Sequence, residues 1–308
     1  MPVKPALLAC LLVASACSAN DGVTRETGAA ACSDGIDNDA NGTTDCDEPS
    51  CLLQSFCSAA MDAGPQDGAV VDSGPLCSAP IDLVFVIDVS TSMGNVLSDL
   101  AAGLRDVWNG AQHLCSNLEV RLVVFVDDAL VANDGMAYAN ADEFLADFWA
   151  YVAAGDRSPV SHVANQDTPE NSLDALYLAA ESTPWRADST RIVVHATDDS
   201  FREPPYEFSS VGPGTGVPAV HTYAETVAAL TSHEVRVGTF APLRGYCDDA
   251  SFPDPSAARG YSSPYNGMPS IADATGGRAW FVCDVRDGHL NMGTAIAGMI
   301  SEEYCTLY

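Results

Sequence analysis

Five short runs of the sequence are almost continuously apolar, and the segments between them repeat apolar residues with the period of a helix. Each run is rich in Val, Ile or Phe, which is typical of strands that are covered on both faces. The predicted strands are residues 81–87, 119–126, 191–196, 235–240 and 278–282.

The segments between the strands predict crossover helices, at residues 96–111, 142–153, 173–180, 223–230 and 290–304. Strands that alternate with helices are typical of the α/β class, with a doubly wound, mainly parallel sheet and helices on both faces. Ligands of such folds bind at the carboxyl ends of the strands. These strands and helices lie within a segment of about 225 residues, which is long enough to form a complete hydrophobic core.

The first predicted strand ends in the sequence Asp88-Val89-Ser90-Thr91-Ser92. One carboxylate and two hydroxyls are therefore placed at a carboxyl end of the sheet. A strand followed by this Asp-x-Ser-x-Ser pattern resembles the von Willebrand factor type A domain and its metal-ion-dependent adhesion site. The resemblance covers roughly residues 81–305 and implies the same doubly wound fold.

The type A resemblance implies two further metal ligands. Thr168 lies just before the helix predicted at 173–180, where the family supplies a threonine. Asp198 follows the strand predicted at 191–196, where the family supplies an aspartate. Asp199 departs from the family, which often has glycine at this position.

All the implied ligands carry hard oxygen atoms: Asp88, Ser90, Ser92, Thr168 and Asp198. Such a set suits Mg²⁺, Mn²⁺ or Ca²⁺ and suits zinc poorly, so we expect Mg²⁺ or Mn²⁺ here. In the family, an open coordination position takes a carboxylate from the partner, which implies a protein or peptide ligand. The alternative is that these residues only form a turn and cap the next helix.

The amino-terminal part of the chain predicts export. Residues 1–16 have one positive charge, a short apolar run and small residues before Cys17, which is typical of a signal peptide. The sequence before Cys17 resembles a bacterial lipobox, so we expect lipidation at Cys17 and a lipoprotein of the outer membrane or cell surface. Plain secretion is the alternative. Eleven cysteines without a CxxC pair also favour export.

Three further segments precede the large domain, which we assign to residues 77–305. Residues 17–31 predict a lipidated tether, and residues 58–76 predict a flexible linker rich in Asp, Gly, Pro and Ala. Between them, residues 32–57 form a Cys-rich module that is too short to bury an adequate core. Disulfides, a metal or both must therefore stabilise it.

The Cys-rich module repeats the ligand register of an EF-hand calcium loop, with oxygen-bearing residues at Asp37, Asp39, Asn41, Asp45 and Glu48. Cysteines and Pro49 replace the helices that would flank an EF-hand. The module more closely resembles the Cys-framed, Asp/Asn-rich calcium motifs of bacterial surface proteins, as found in myxobacteria. We expect Ca²⁺ here; the alternative is a solvated turn cluster without an ion.

Two disulfides are expected in the large domain. Cys247 lies in a long loop that Cys283 could pin, and Cys77 and Cys305 bracket the domain, which leaves Cys115 as the odd thiol. The loops 199–218 and 241–270 carry aromatic and arginine residues typical of interfaces, although such residues can equally pack on their own domain.

The net charge is −29, from 13 basic and 42 acidic residues. Nucleic acid is therefore excluded as a partner class, and no polybasic patch is available for a membrane surface. Contact with a membrane is expected through the lipid anchor alone. A partner that supplies a carboxylate should otherwise be neutral or basic, because a broadly acidic surface would be repelled. The sequence leaves the oligomeric state open.

Enzymatic motifs are missing from the sequence. There is no HExxH and no G-x-S-x-G, and His195 is interpreted as a core histidine because it lies within an apolar strand. A phosphatase of the haloacid dehalogenase type would need a second carboxylate at position 90 and a lysine, yet Ser90 is there and Lys4 is the only lysine. We therefore expect a non-enzymatic binding or adhesion protein, or alternatively a structural envelope lipoprotein whose metals serve stability.

Overall fold

A six-stranded sheet forms the centre of the large domain in the computed structural model, which describes residues 31–33, 79–114, 117–165, 169–205, 217–243, 247 and 257–305. The strands are β1 (Ile81–Asp88), β2 (Leu118–Phe125), β3 (Ala129–Val131), β4 (Thr190–Ala196), β5 (Arg236–Ala241) and β6 (Arg278–Phe281). Their spatial order is β3-β2-β1-β4-β5-β6. All neighbouring strands are parallel except β2 and β3.

Seven α-helices cover the sheet in the described part of the chain: α1 (Gly94–Leu114), α2 (Ala141–Ala153), α3 (Ser172–Ser182), α4 (Tyr223–Ser232), α5 (Ile271–Thr275), α6 (Val282–Arg286) and α7 (Met292–Cys305). Short 3₁₀ turns occupy Ala31–Ser33, Thr91–Met93 and Asn133–Gly135. None of the helices in the described residues is long and apolar enough to cross a bilayer.

Strand β1 is buried along its whole length and contributes side chains to both faces of the sheet. Leu83, Phe85 and Ile87 belong to the core that is shared with α1, α2 and α7. Val84 and Val86 point to the opposite core, which is shared with α3 and α4. Because alternate side chains of a strand point to opposite faces, a continuously apolar strand is what a three-layer fold requires.

The predicted doubly wound α/β fold is confirmed. All five predicted strands and all five predicted helices are present, and no end is displaced by more than three residues. Three short elements were missed, namely β3, α5 and α6. Each has three to five residues, which is too short for an apolar period to stand out.

The strand order reverses between β1 and β4, which creates a crevice at their carboxyl ends. Chain connections leave β1 toward β2 on one side and return to β4 on the other. The parallel register sets Ile87 opposite Ala196, so the residues that follow the two strands lie at the same level. In open α/β sheets such a switch point is where ligands bind.

Candidate metal centre

Asp88 ends β1, and its side chain is completely buried. The backbone N–H of Ser90 donates to Asp88 Oδ1 at 2.8 Å, and the hydroxyl of Thr197 donates to Asp88 Oδ2 at 2.8 Å. Both oxygens are therefore held by residues at adjacent strand ends. Among the described residues, Asp88 forms no ion pair with a basic side chain.

The two serines of the Asp-x-Ser-x-Ser pattern connect β1 to β4. Ser90 Oγ lies 3.0 Å from Ser92 Oγ, and Ser92 Oγ donates to Asp198 Oδ1 at 2.9 Å. The fold therefore brings four of the five residues that the resemblance implied into one hydrogen-bonded cluster. Thr168, the fifth residue, lies outside the described residues.

The capping alternative does not account for Ser90. Its backbone precedes the 3₁₀ turn Thr91–Met93 in an extended conformation, as an N-cap residue would, but its side chain makes no capping hydrogen bond. The hydroxyl lies beside Ser92 instead. The two hydroxyls thus form a chain of hydrogen bonds that ends at Asp198.

Burial and mutual repulsion disfavour the charged forms of the acids at this site. Burial, with the nearby charge of Asp198, raises the pKa of Asp88 to about 7, against the opposing hydrogen bonds from Ser90 and Thr197. Burial also raises the pKa of Asp199 to about 8, and the charges of Asp88 and Asp198 act in the same direction. A bound cation would reverse this balance, because it favours ionised carboxylates.

Glu170 is a further acid of the cluster that the sequence analysis missed. It is 2% exposed, and burial together with the charges of Asp88, Asp127 and Asp199 raises its pKa well above the usual range. Its Oε1 accepts a hydrogen bond from Asn165 at 2.6 Å, whereas its buried Oε2 has no hydrogen-bond partner. The only signal in the sequence is its position two residues after Thr168.

The segment 169–171 is held beside the cluster by backbone contacts. Glu170 N–H donates to Ser200 O at 2.9 Å, and Asn171 N–H donates to Val126 O at 2.8 Å. Glu170 and Phe201 thereby form an isolated parallel bridge. The residues that follow Thr168 in sequence therefore lie between the ends of β2 and β4.

The donor chemistry at this edge fits a hard divalent cation. Asp88 and Asp198 supply two negative charges, and Ser90 and Ser92 supply neutral oxygens. Within the described ranges, no group of three or more His, Cys, Asp or Glu residues is arranged to hold a metal ion. Metal binding here would thus depend on the serine hydroxyls, as oxygen-preferring ions allow.

The described aromatic residues of the loops that follow β4 and β5, namely Phe201, Tyr261 and Tyr265, pack against one another. Tyr261 is completely buried, and the Phe201 ring lies 5.5 Å from that of Tyr261 and 5.0 Å from that of Tyr265. Tyr223 at the start of α4 completes this aromatic cluster. For these described residues, the structure favours packing on their own domain, which was one of the two roles that their residue types allowed.

The structure contains the expected disulfide between Cys247 and Cys283, with 5.2 Å between the two Cα atoms. It joins the loop after β5 to α6. Cys32 is buried and also disulfide-bonded. The remaining predicted positions lie outside what the structure describes, namely Cys17, Cys77, the side chain of Cys305, and the calcium-loop residues Asp37, Asp39, Asn41, Asp45 and Glu48.

No family model matches the sequence. Integrin beta-4 of Rattus norvegicus and integrin beta-4 of Mus musculus are each 28% identical to the chain over 145 residues. The match covers 40% of this chain, which spans only 8% of the length of these curated relatives.

Two solved structures are similar to the chain at low sequence identity. An aerotolerance-related membrane protein from Bacteroides fragilis, solved with multiple mutations to serine, is 15% identical with a TM-score of 0.41; the match covers 72% of this chain and 99% of that one. The pilus adhesin SpaC from Lactobacillus rhamnosus GG, in an open conformation, is 14% identical with a TM-score of 0.44. That match covers 74% of this chain and 30% of the adhesin.

Proposed function

We propose that the chain is an exported binding protein of the bacterial envelope that engages a protein or peptide through a divalent cation. The cation is Mg²⁺ or Mn²⁺, and its ligands are Asp88, Ser90, Ser92, Thr168 and Asp198. The observation that carries the proposal is the buried carboxylate of Asp88, which has no ion-pair partner among the described residues. It is hydrogen-bonded to Ser90, whose hydroxyl is linked through Ser92 to Asp198.

Each side chain has a separate part in the proposed site. Asp88 and Asp198 provide a charge that approximately balances a divalent ion, while the hydroxyls of Ser90 and Ser92 add donors without adding charge. When bound, the cation supplies Lewis acidity toward an oxygen ligand of the partner. The hydrogen bonds from Ser90 N–H and Thr197 Oγ1 orient Asp88 and limit its movement, as outer partners do at metal sites.

The charge of the chain limits the class of partner. With a net charge of −29, the protein repels broadly acidic surfaces. The partner that we propose therefore presents one carboxylate within neutral or basic surroundings. Complementary charge of this kind mainly increases the association rate and the specificity.

Calorimetric titration of the mature protein with Mn²⁺ tests the metal site. We expect binding by the wild type and none by Asp88→Asn, whose circular dichroism should stay native because Asp88 lies at a strand end. Asp106→Asn is the matched control, since Asp106 is an exposed aspartate of α1. Equal Mn²⁺ binding by wild type and Asp88→Asn would sink the proposal.

Capture of envelope proteins on the immobilised mature chain tests the proposed role of the cation. We expect the wild type to retain a specific partner in Mg²⁺ and to release it in EDTA. The Asp88→Asn variant should not retain that partner. Capture that is indifferent to EDTA would refute a metal-mediated mechanism. Failure to capture any partner, together with Mg²⁺-dependent stability, would favour the purely structural role.

The amino-terminal region is part of the proposal. We propose lipidation at Cys17 and Ca²⁺ binding by Asp37, Asp39, Asn41, Asp45 and Glu48. Cys17→Ala should move the protein from the membrane fraction to the soluble fraction. Asp37→Asn combined with Asp39→Asn should abolish the heat of Ca²⁺ binding that remains in an Asp88→Asn background, and unchanged heat would exclude the module as the calcium site.

A further inference from the structure

Arg202 is a buried arginine beside the candidate metal centre, and it is 2% exposed. Its Nη2 forms an ion pair with Asp127 Oδ1, in the turn that follows β2. Its Nε donates to Pro169 O at 3.1 Å, and its Nη1 donates to Val217 O at 3.2 Å. One guanidinium therefore connects three segments that are far apart in sequence.

The backbone of Arg202 strengthens the same connection. Its N–H donates to Glu170 O at 3.1 Å, next to the Glu170–Phe201 bridge. Side chain and backbone thus hold both Pro169 and Glu170. Since Thr168 is covalently joined to Pro169, the anchoring of Pro169 limits where Thr168 can lie.

Arg202 also carries a positive charge into an acidic environment. Asp127 is completely buried, and Ser158 Oγ lies 3.4 Å from its second oxygen, Oδ2. The positive charge of Arg202 acts on Glu170 against the charges of Asp88, Asp127 and Asp199. A buried ion pair with additional hydrogen bonds can hold such a cluster together, whereas removing one partner leaves an uncompensated charge.

We propose that Arg202 is a positioning residue that holds the segment 169–171 against the ends of β2 and β4 and so sets the affinity of the centre for its cation. This inference rests on the proposed function. It assigns Arg202 no contact with the ion. Lysine cannot replace it, because a single ammonium group lacks the planar fork that reaches Asp127, Pro169 and Val217 together.

Mn²⁺ titration of the mature protein carrying Arg202→Lys tests the inference. We expect the affinity for Mn²⁺ to fall by about tenfold or more, as is common when partners behind metal ligands are lost. The matched control is Arg191→Lys at the amino end of β4, where the guanidinium donates to His233 O at 2.7 Å and Arg186 O at 3.2 Å. That variant also loses fork-shaped hydrogen bonding, but the Mn²⁺ affinity should be unchanged.

Hydrogen exchange in EDTA provides a second measurement that needs no metal. The amides of Glu170 and Asn171 should exchange faster in Arg202→Lys than in Arg191→Lys or in the wild type. If Arg202→Lys keeps wild-type Mn²⁺ affinity, the positioning role is overturned and the metal site remains. If the wild type itself does not bind Mn²⁺, the proposed function fails, and with it the proposed influence of Arg202 on the affinity. If the amide of Glu170 exchanges as slowly in Arg202→Lys as in the wild type, the anchoring of the segment by Arg202 is overturned as well.

Discussion

Ser92 donates a hydrogen bond of 2.9 Å from its hydroxyl to Oδ1 of Asp198, a residue 106 positions later in the chain. The bond joins the turn after β1 to the end of β4, two strands that lie side by side in the sheet. Because Ser92 is exposed while Asp88 is buried, the cluster extends from the core to the surface. The centre is therefore open to solvent on the Ser92 side.

Removal of the Ser92 hydroxyl should weaken cation binding while the fold stays stable. Ser92→Ala deletes a neutral oxygen donor and the link to Asp198, so we expect the Mn²⁺ affinity to fall by about tenfold. The free energy of unfolding should change by less than about 1 kcal/mol, because the lost hydrogen bond is exposed. Calorimetry and urea unfolding measure the two effects.

Ser98→Ala is the control for Ser92→Ala, since Ser98 is an exposed serine of α1 whose hydroxyl donates to Gly94 O at 3.2 Å. It should bind Mn²⁺ as the wild type does. Equal affinities of the two alanine variants would contradict the assignment of Ser92.

Cation binding should stabilise the folded state. A site that is present only in the folded chain adds about 2.7 kcal/mol to the free energy of unfolding when the free ion is a hundredfold above its Kd. For a domain of this size, that corresponds to a rise in Tm of about 5–10 °C. Calorimetric scans with Mg²⁺ and with EDTA measure it, and Asp88→Asn should show no difference between the two conditions.

His195 should make the protein less stable in mild acid. The side chain is completely buried in β4, its Nδ1 lies 2.8 Å from Thr239 Oγ1, and burial lowers its pKa to about 3. An unfolded chain binds this proton near pH 6.5, so stability is complete above that pH and falls as the pH decreases toward 3. The loss from this group is about 1.4 kcal/mol per pH unit within that window.

Urea unfolding of His195→Gln at pH 7 and pH 5 tests the contribution of His195. Relative to the variant, the wild type should lose about 2 kcal/mol between the two values. His289→Gln, at an exposed histidine, is the control. Its free energy of unfolding should depend on pH as that of the wild type does. Parallel pH profiles for wild type and His195→Gln would show that His195 does not cause the loss.

Two glycines in helices should respond oppositely to alanine. A Cβ at Gly103 of α1 would lie 2.9 Å from Gly293 Cα of α7, so the two helices would have to separate. We expect Gly103→Ala to lower the free energy of unfolding by about 1–3 kcal/mol. A Cβ added at Gly298 of α7 would meet no neighbouring atom within 4 Å. We therefore expect Gly298→Ala to raise the free energy of unfolding by up to about 1 kcal/mol, because alanine has the higher helix propensity. Denaturant unfolding measures both changes. A shift of the unfolding midpoint in the same direction for both variants, relative to the wild type, would contradict this packing.

Much of the candidate centre could be predicted from the sequence, because its signals are local. Asp88, Ser90 and Ser92 follow directly after an apolar strand, and Asp198 follows another. Glu170 and Arg202 could not be predicted in the same way. Their importance comes from burial and from contacts with Asp127 and with each other, between residues that are 32 to 75 positions apart.

The sequence by itself determined the alternation of strands and helices and the oxygen-rich end of β1, because apolar period and motif spacing act over a few residues. The tertiary structure alone decided that β1 lies beside β4, that Ser92 reaches Asp198, and that Arg202 is buried against Asp127. It also packed Phe201 and His195 against the buried Tyr261. The physical reason is that burial and charge compensation depend on which distant segments pack together, and that is settled only when the whole sheet has formed.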